Sequence, residues 1–139
     1  MPQPIKVLCV DDNDLVCGAM ARRLCPPLFE FVGAEPTYER LDERLRRDRP
    51  DLLVLDLDVP GSDALGWIRR TAPLPDRPRM VVLTGMIAGP WVGKALDAGA
   101  DGVIAKSEDA ATIVDLLVRA AAGENVISRD AARALVATS

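Results

Sequence analysis

Short apolar runs alternate with amphipathic stretches along the chain. The runs are rich in Val, Leu and Ile and show no polar alternation, which is typical of strands buried on both faces of a parallel sheet. The central example is the run Leu-Leu-Val-Leu at residues 52–55, which ends on Asp56 and is followed by a Val-Pro-Gly turn. Five runs are predicted as strands, over residues 5–10, 28–33, 52–55, 80–83 and 103–105.

The stretches between the runs predict helices, because their apolar residues recur at helical spacing. Residues that favour helix starts precede them, such as Asn13 or Asp14 for the first helix and Thr37 for the second. The other three helices are predicted over residues 64–71, 90–98 and 109–123. Five strand–helix units with right-handed crossovers predict an α/β fold with a parallel sheet between two layers of helices.

Length and composition fit one globular domain. The chain has 139 residues, of which 49% are hydrophobic, and this argues against disorder. No apolar run is long enough to cross a bilayer and the N-terminus does not resemble a signal peptide, so a cytoplasmic location without membrane contact is expected. The formal net charge of −4 argues against direct nucleic-acid binding, which needs a basic face.

Two residue types restrict the chemistry. The three cysteines, Cys9, Cys17 and Cys25, are an odd number and match no metal-binding spacing, so they are expected to be free and mostly buried. The chain has no histidine, which removes the usual base at neutral pH. Acid–base or phosphoryl chemistry would therefore depend on carboxylates, lysine, hydroxyls or the histidine of a partner.

Polar residues follow four of the predicted strands. Asp11 and Asp12 follow the first strand, Asp56 the third, Thr84 ends the fourth and Lys106 follows the fifth. The carboxyl ends of parallel strands meet at one edge of the sheet, which is where open α/β folds bind ligands. Local capping would explain one such residue, but not three carboxylates, a hydroxyl and an ammonium at the same edge. The sequence therefore predicts a functional site there.

The charges of these residues restrict the chemistry that this site can perform. Three carboxylates repel one another, and Lys106 together with a hard divalent cation such as Mg²⁺ would offset the repulsion. Asp56 could then remain ionised and act as a nucleophile, since aspartate carboxylates form phosphoryl-enzyme intermediates. Lys106 and the cation would neutralise charge in the transition state, and the Thr84 hydroxyl would contact a phosphoryl oxygen.

The same residues resemble the receiver domain of two-component response regulators, and the resemblance covers almost the whole chain. Asp11 and Asp12 match the paired acids of that family, Asp56 its phosphorylated aspartate, Thr84 its switch hydroxyl and Lys106 its lysine. The resemblance implies a flavodoxin-like (βα)5 fold, a three-layer sandwich whose five-stranded parallel sheet has the order 2-1-3-4-5.

The resemblance also implies a function. It implies Mg²⁺ held by Asp12, Asp56 and the backbone carbonyl of Asp58, with Asp11 acting through water. It implies a histidine kinase or histidine phosphotransfer protein as phosphoryl donor, and homodimerisation as a further option. The chain would be a phosphoacceptor signalling domain rather than an enzyme, with self-catalysed phosphoryl transfer and slow self-dephosphorylation. The surface around the fourth and fifth helices would change on phosphorylation and pass the signal to partners.

Three positions depart from the family pattern. The aromatic residue usual three positions before the lysine is Val103, the proline usual after the lysine is Ser107, and the glycine usual after the third strand is Ala64. The first departure bears on the usual switch, in which an aromatic side chain swings inward when the threonine moves. The chemical groups needed for phosphorylation are all present.

The C-terminal part is similar to regulators that continue into a helix-turn-helix domain. The similarity lies in residues 106–130, especially Ala122-Gly123-Glu124 and Ile127-Ser128. We predict a receiver domain over residues 1–123 and a tail or linker over residues 124–139, with a short helix over residues 128–137 as an option.

Two other functions fit parts of the pattern. Asp56-Leu57-Asp58 resembles the aspartate pair of haloacid-dehalogenase-like phosphatases, in which the second acid activates water. The extra acids precede Asp56, however, and no cap domain is predicted. The second alternative is a receiver-like module that binds partners without phosphorylation, and a failure to bind Mg²⁺ would favour it.

Overall fold

The computed structural model describes residues 3–138 and contains a six-stranded sheet with helices on both faces. Neighbouring strands are parallel and follow the order β2-β1-β3-β4-β5-β6. The strands are β1 (Ile5–Val10), β2 (Phe29–Glu35), β3 (Leu52–Leu55), β4 (Arg79–Thr84), β5 (Gly102–Ala105) and β6 (Val126–Ile127). The predicted fold class and the order 2-1-3-4-5 are confirmed, and β6 extends the sheet beyond β5.

Strand β3 lies inside the sheet and is covered on both faces. All four of its residues are buried. It pairs with β1, where Leu53 lies opposite Leu8, and with β4, where Leu53 lies opposite Met80. An unbroken apolar run suits this position, because neither face of the strand meets water.

Within residues 3–138, six helices form two layers around the sheet. They are α1 (Asp14–Arg23), α2 (Leu41–Asp48), α3 (Ala64–Thr71), α4 (Trp91–Ala98), α5 (Ala110–Ala121) and α6 (Arg129–Ala137). Residues of α1 and α5 share one hydrophobic core, while residues of α2, α3, α4 and α6 share the other. Among the described residues, no helix has both the length and the apolar character needed to cross a membrane.

Two helix starts follow the residues predicted for them, and a third does not. The Asn13 side chain accepts hydrogen bonds from the first turn of α1, and the Asp109 side chain accepts one from the Thr112 amide in α5. Thr37 does not cap α2, so that prediction is wrong. Its hydroxyl accepts a hydrogen bond from the Glu39 amide in a local turn, and α2 begins only at Leu41.

The C-terminal residues form a strand and a helix that pack on the domain. Val126 lies opposite Gly102 in the β5–β6 ladder, and α6 packs against α4 and β5. Glycine is required at position 102, because a Cβ atom there would lie 2.5 Å from the Val126 Cγ2 atom and 2.8 Å from the Val126 carbonyl oxygen. The domain boundary after residue 123 stays a prediction, but the segment that follows it is docked on the sheet.

All three cysteines are free thiols, but they differ in exposure. Cys9 is buried, Cys17 is half-buried and Cys25 is exposed, so the expectation of mostly buried thiols is wrong for Cys25. Burial raises the pKa of the Cys9 thiol well above its ordinary value. Burial and then the nearby Asp11 carboxylate raise the pKa of Cys17.

We expect Cys25 to react first with iodoacetamide under native conditions and Cys9 to react only after unfolding. The thiolate is the nucleophile, so a buried thiol with a raised pKa is protected both by access and by protonation. Timed labelling followed by peptide mass spectrometry measures the order. Cys25→Ser should remove the fast phase, whereas labelling of Cys9 as fast as Cys25 would contradict the buried position.

Candidate functional site

The predicted carboxylates converge at the carboxyl edge of the sheet. Asp11 and Asp12 follow β1 and Asp56 follows β3, which is the neighbouring strand. The Asp56 amide donates to the Val10 carbonyl at 2.9 Å, so the ladder continues into the site. One carboxylate oxygen from each of the three lies within 4.8 Å of the other two. Asp11 and Asp56 are each 4% exposed, while Asp12 faces solvent.

Lys106 reaches into this cluster from β5. Its ammonium lies 2.8 Å from Asp11 Oδ2 and 3.0 Å from Asp56 Oδ2. Burial acts to lower the pKa of Lys106, but its hydrogen bonds to Asp11 and Asp56 outweigh burial and raise the pKa above its usual value. The ammonium therefore stays charged and bridges the two buried carboxylates.

The second oxygen of each buried carboxylate is held by the backbone. Asp11 Oδ1 accepts from the Asn13 amide at 2.9 Å. Asp56 Oδ1 accepts from the Asp58 amide at 3.2 Å. In each carboxylate, one oxygen therefore contacts the Lys106 ammonium, and the other accepts a hydrogen bond from the backbone amide two residues later in the chain. This arrangement orients both groups and offsets part of the cost of burying their charge.

Thr84 ends β4 at the same edge and is fully buried. Its hydroxyl oxygen accepts a hydrogen bond from the Met86 amide at 3.0 Å, and its carbonyl accepts from the Lys106 amide at 3.0 Å. The residue therefore connects the strand that carries Lys106 to the loop before α4. Its hydroxyl lies on the predicted edge of the sheet and is bonded to that loop.

One contact to the site was not predicted from the sequence. Tyr38 is buried, and its hydroxyl donates to the backbone carbonyl of Asp56. Its ring packs against Trp67 at 5.9 Å between centroids, and the Trp67 indole donates to Asp42 Oδ1 at 3.0 Å. Burial, followed by the Asp56 charge, raises the pKa of Tyr38 well above its ordinary value, so the hydroxyl stays a donor. The sequence signal for this contact is a tyrosine directly after Thr37, the predicted start of the second helix, since a buried tyrosine needs a partner for its hydroxyl.

The donor set fits a hard divalent cation. Three carboxylates and one ammonium leave two formal negative charges in a small volume. Carboxylate and carbonyl oxygens are the ligands that Mg²⁺ prefers, usually with several waters retained. Asp12 is the exposed member, and Asp58 is exposed beside it, so the cluster is open on the side of these two residues.

A family model identifies the kind of domain that carries this site. The model of the response regulator receiver domain matches residues 7–118. The chain belongs to the response regulator receiver family. The receiver resembles VraR of Staphylococcus aureus, with 32% identity over 126 residues that cover 88% of this chain and 59% of VraR. It is 34% identical over 108 residues to a protein-glutamate methylesterase/protein-glutamine glutaminase of Anaeromyxobacter dehalogenans, covering 75% of this chain and 29% of that protein. The receiver thus spans less than two thirds of the length of each of these relatives.

Solved structures share the architecture of this receiver. A LuxR-family two-component response regulator from Aurantimonas sp. superposes with a TM-score of 0.86 at 25% identity, covering 96% of both chains. The isolated receiver domain of RcsB from Salmonella enterica superposes with a TM-score of 0.84 at 20% identity, covering 95% of this chain and 99% of that one. Both similarities extend over nearly the whole of this receiver.

The three departures from the family pattern have defined surroundings in the structure. Val103 is fully buried in the core that α4 and α6 share, and Ala64 is the first residue of α3. The Ser107 hydroxyl donates to Asp130 Oδ2 at 3.0 Å, so a polar contact to α6 occupies the position of the usual proline. Val103 and Ser107 therefore both border the C-terminal helix.

Proposed function

We propose that this receiver accepts a phosphoryl group on Asp56 in an Mg²⁺-dependent reaction and signals through the resulting change in charge. The observation that carries the proposal is the geometry at the sheet edge. An ammonium lies within 3.0 Å of two buried carboxylates, and a third carboxylate lies close by.

In the proposed step, a carboxylate oxygen of Asp56 attacks the phosphorus of a phosphoryl donor. An oxygen–phosphorus bond forms on Asp56, and the bond between phosphorus and the leaving group breaks with its electron pair. From acetyl phosphate the leaving group is acetate, and from phosphohistidine it is the imidazole nitrogen. The chain itself has no histidine, so the physiological donor would be the phosphohistidine of a histidine kinase or phosphotransfer protein.

Each site residue has a role in this proposal. Lys106 would move its hydrogen bond from Asp56 to a phosphoryl oxygen and stabilise the charge that develops there. Thr84 would donate its hydroxyl to a second phosphoryl oxygen. Asp12, Asp56 and the carbonyl of Asp58 would hold Mg²⁺, with Asp11 acting through water. When bound, the cation supplies positive charge to the equatorial oxygens of the transferring group.

The partners and the output are part of the same proposal. Phosphorylation adds about two negative charges at one point, and the loop between Thr84 and α4 is the segment bonded to the switch hydroxyl. When this loop moves, the surface around α4 and α5 would change its conformation. A second copy of the receiver is one partner that could bind this surface. We propose no direct nucleic-acid contact by these residues, given their net negative charge.

Intact mass spectrometry tests the central step. The receiver is incubated with acetyl phosphate and Mg²⁺, alongside Asp56→Asn and a sample with excess EDTA. We expect one added phosphoryl group in the wild type and none in the other two samples, since the variant lacks the nucleophilic oxygen and EDTA removes the cation. Consumption of donor without an adduct would instead support a phosphatase. No adduct and no consumption would support a module that binds without phosphorylation.

A further inference from the structure

The backbone amide next to Lys106 is bound by a side chain from the C-terminal segment. The Ala105 amide donates to Ser128 Oγ at 3.0 Å, and the same oxygen accepts from the Ala131 amide at 3.4 Å. Ser128 is only 2% exposed, and both alanines are fully or almost fully buried. One hydroxyl therefore caps α6 and satisfies a strand amide beside the site lysine.

The geometry of the short strand β6 explains this bond. The Ser128 amide still follows the ladder and donates to the Val103 carbonyl at 3.0 Å. The chain then turns into α6, so the backbone offers no further acceptor to β5, and the Ser128 hydroxyl takes that place. On the other side of β5, the Lys106 amide donates to the Thr84 carbonyl at 3.0 Å. Consecutive amides at the base of Lys106 are thus held from opposite sides.

The loop after Lys106 is bound to the same helix. The Ser107 hydroxyl donates to Asp130 Oδ2 at 3.0 Å, and the Asp130 amide donates to Glu108 Oε1 at 3.4 Å. Residues on both flanks of the lysine therefore contact the start of α6, at its N-cap Ser128 and at Asp130. The contact of Ser107 depends on a hydroxyl that a proline at this position would not have.

Helix α6 is also packed under the strand that carries the lysine. Ala131 is fully buried in one core with Val103 and Val92. A Cβ atom added at Gly93 of α4 would lie 3.5 Å from the Leu135 Cδ1 atom, which places α6 close against α4. The position where the family usually carries a mobile aromatic residue is here a small branched side chain covered by a helix.

We propose that Ser128 is a positioning residue for Lys106, and that through it the β6–α6 unit (residues 126–137) is energetically coupled to occupancy of the acidic site. The inference rests on the proposed function for the identity of the occupant. A phosphoryl group that draws the Lys106 ammonium away from Asp11 and Asp56 pulls on the Ala105–Ser128 bond. Because coupling between two sites is reciprocal, loosening this bond must change the affinity of the acidic site in turn.

The affinity of the site for beryllofluoride with Mg²⁺, measured by ¹⁹F NMR titration, tests the forward direction. Ser128→Gly is the informative variant, since glycine starts a helix almost as well as serine but offers no acceptor to Ala105. We expect its apparent affinity to fall about fivefold or more. Ser128→Thr keeps the hydroxyl and should bind like the wild type.

Thr138→Ala is the matched control for this titration. It removes a hydroxyl from the exposed far end of the same helix, where the hydroxyl bonds the Ala134 and Leu135 carbonyls. Its beryllofluoride affinity should equal that of the wild type. Equal affinities of wild type and Ser128→Gly would overturn the proposal, and so would an equal loss in Ser128→Gly and Thr138→Ala.

Amide hydrogen exchange tests the reverse direction without any ligand or any change at Ser128. Asp56→Asn removes the charge of one of the two carboxylates that hold Lys106. We expect the Ala105 amide and the amides of α6 to exchange at least several-fold faster in this variant, with α2 as the internal reference. Unchanged exchange in α6 would overturn the coupling. Failure of the wild type to bind beryllofluoride would instead overturn the proposed function, and the exchange result would still decide the coupling.

Discussion

Asp101→Ala is expected to lower the free energy of unfolding by about 3–5 kcal/mol, the range for breaking a buried ion pair from one side. Asp101 lies between α4 and β5, with its side chain 8% exposed. Its carboxylate accepts from Arg77 Nη1 at 2.6 Å, from Arg77 Nη2 at 3.1 Å and from Arg79 Nη1 at 3.2 Å. It also accepts from the Met80 amide at 2.8 Å.

Removing this carboxylate leaves several donors without their acceptor at once. The side chains of Arg77 and Arg79 are 21% and 26% exposed, so water replaces the lost contacts only in part. The Met80 amide is buried and loses its side-chain partner. The Asp101 backbone forms hydrogen bonds to β4 and to β6. Loss of the side chain therefore weakens the structure where these two strands pair with β5. An unsatisfied buried charge or amide costs more than a formed bond contributes.

Urea unfolding followed by circular dichroism measures the loss. Asp101→Asn keeps the shape and removes the charge, so its loss should be smaller. Asp115→Ala serves as the exposed control, because the Asp115–Arg119 pair is 4.0 Å apart and both side chains are about half exposed or more. Its effect should stay within about 0.5 kcal/mol. A similar loss for Asp115→Ala and Asp101→Ala would show that burial of the Asp101 network is unimportant.

The site could be predicted from the sequence because it depends on strand ends. A strand buried in a parallel sheet appears in the sequence as a continuous apolar run. The residue after the run then lies at the carboxyl edge of the sheet, independently of how the side chains pack. The strand ends predict that Asp11, Asp56 and Lys106 lie together, and in the structure the Lys106 ammonium lies within 3.0 Å of both carboxylates. Thr84 reaches the same edge, but its bond to the Met86 amide has no counterpart in any sequence pattern.

Features that depend on contacts between distant residues were missed. Strand β6 has two residues, too few to show a period, and it forms only because Gly102 leaves room for Val126. The sequence predicts the start of α2 too early, because Thr37 and the helical spacing after it favour a helix where the structure has a turn. The bonds of Tyr38 to Asp56 and of Ser128 to Ala105 join residues 18 and 23 positions apart.

Lys106→Met is expected to slow phosphorylation by acetyl phosphate about 100-fold, the usual cost of removing one preorganised group that stabilises transition-state charge. Methionine keeps much of the length and apolar volume of the lysine stem, so the change is mainly loss of the ammonium. The rate of adduct formation at saturating Mg²⁺, followed by intact mass spectrometry, measures the effect. Lys94→Met is the matched control, because Lys94 lies on the exposed face of α4 over the Trp91 ring, and it should leave the rate unchanged.

The same variant separates the electrostatic role of Lys106 from its catalytic role. Without the ammonium, Asp11 and Asp56 lose the positive partner that lies within 3.0 Å of each, and the amides of Asn13 and Asp58 remain as their hydrogen-bond donors. Added Mg²⁺ should therefore raise the unfolding midpoint more in Lys106→Met than in the wild type, since a ligand that binds only the folded state stabilises it by mass action. Thermal unfolding with and without Mg²⁺ measures the difference. An equal shift in both proteins would mean that Lys106 and the cation do not neutralise the same carboxylates, and the slow phosphorylation would then reflect transition-state charge alone.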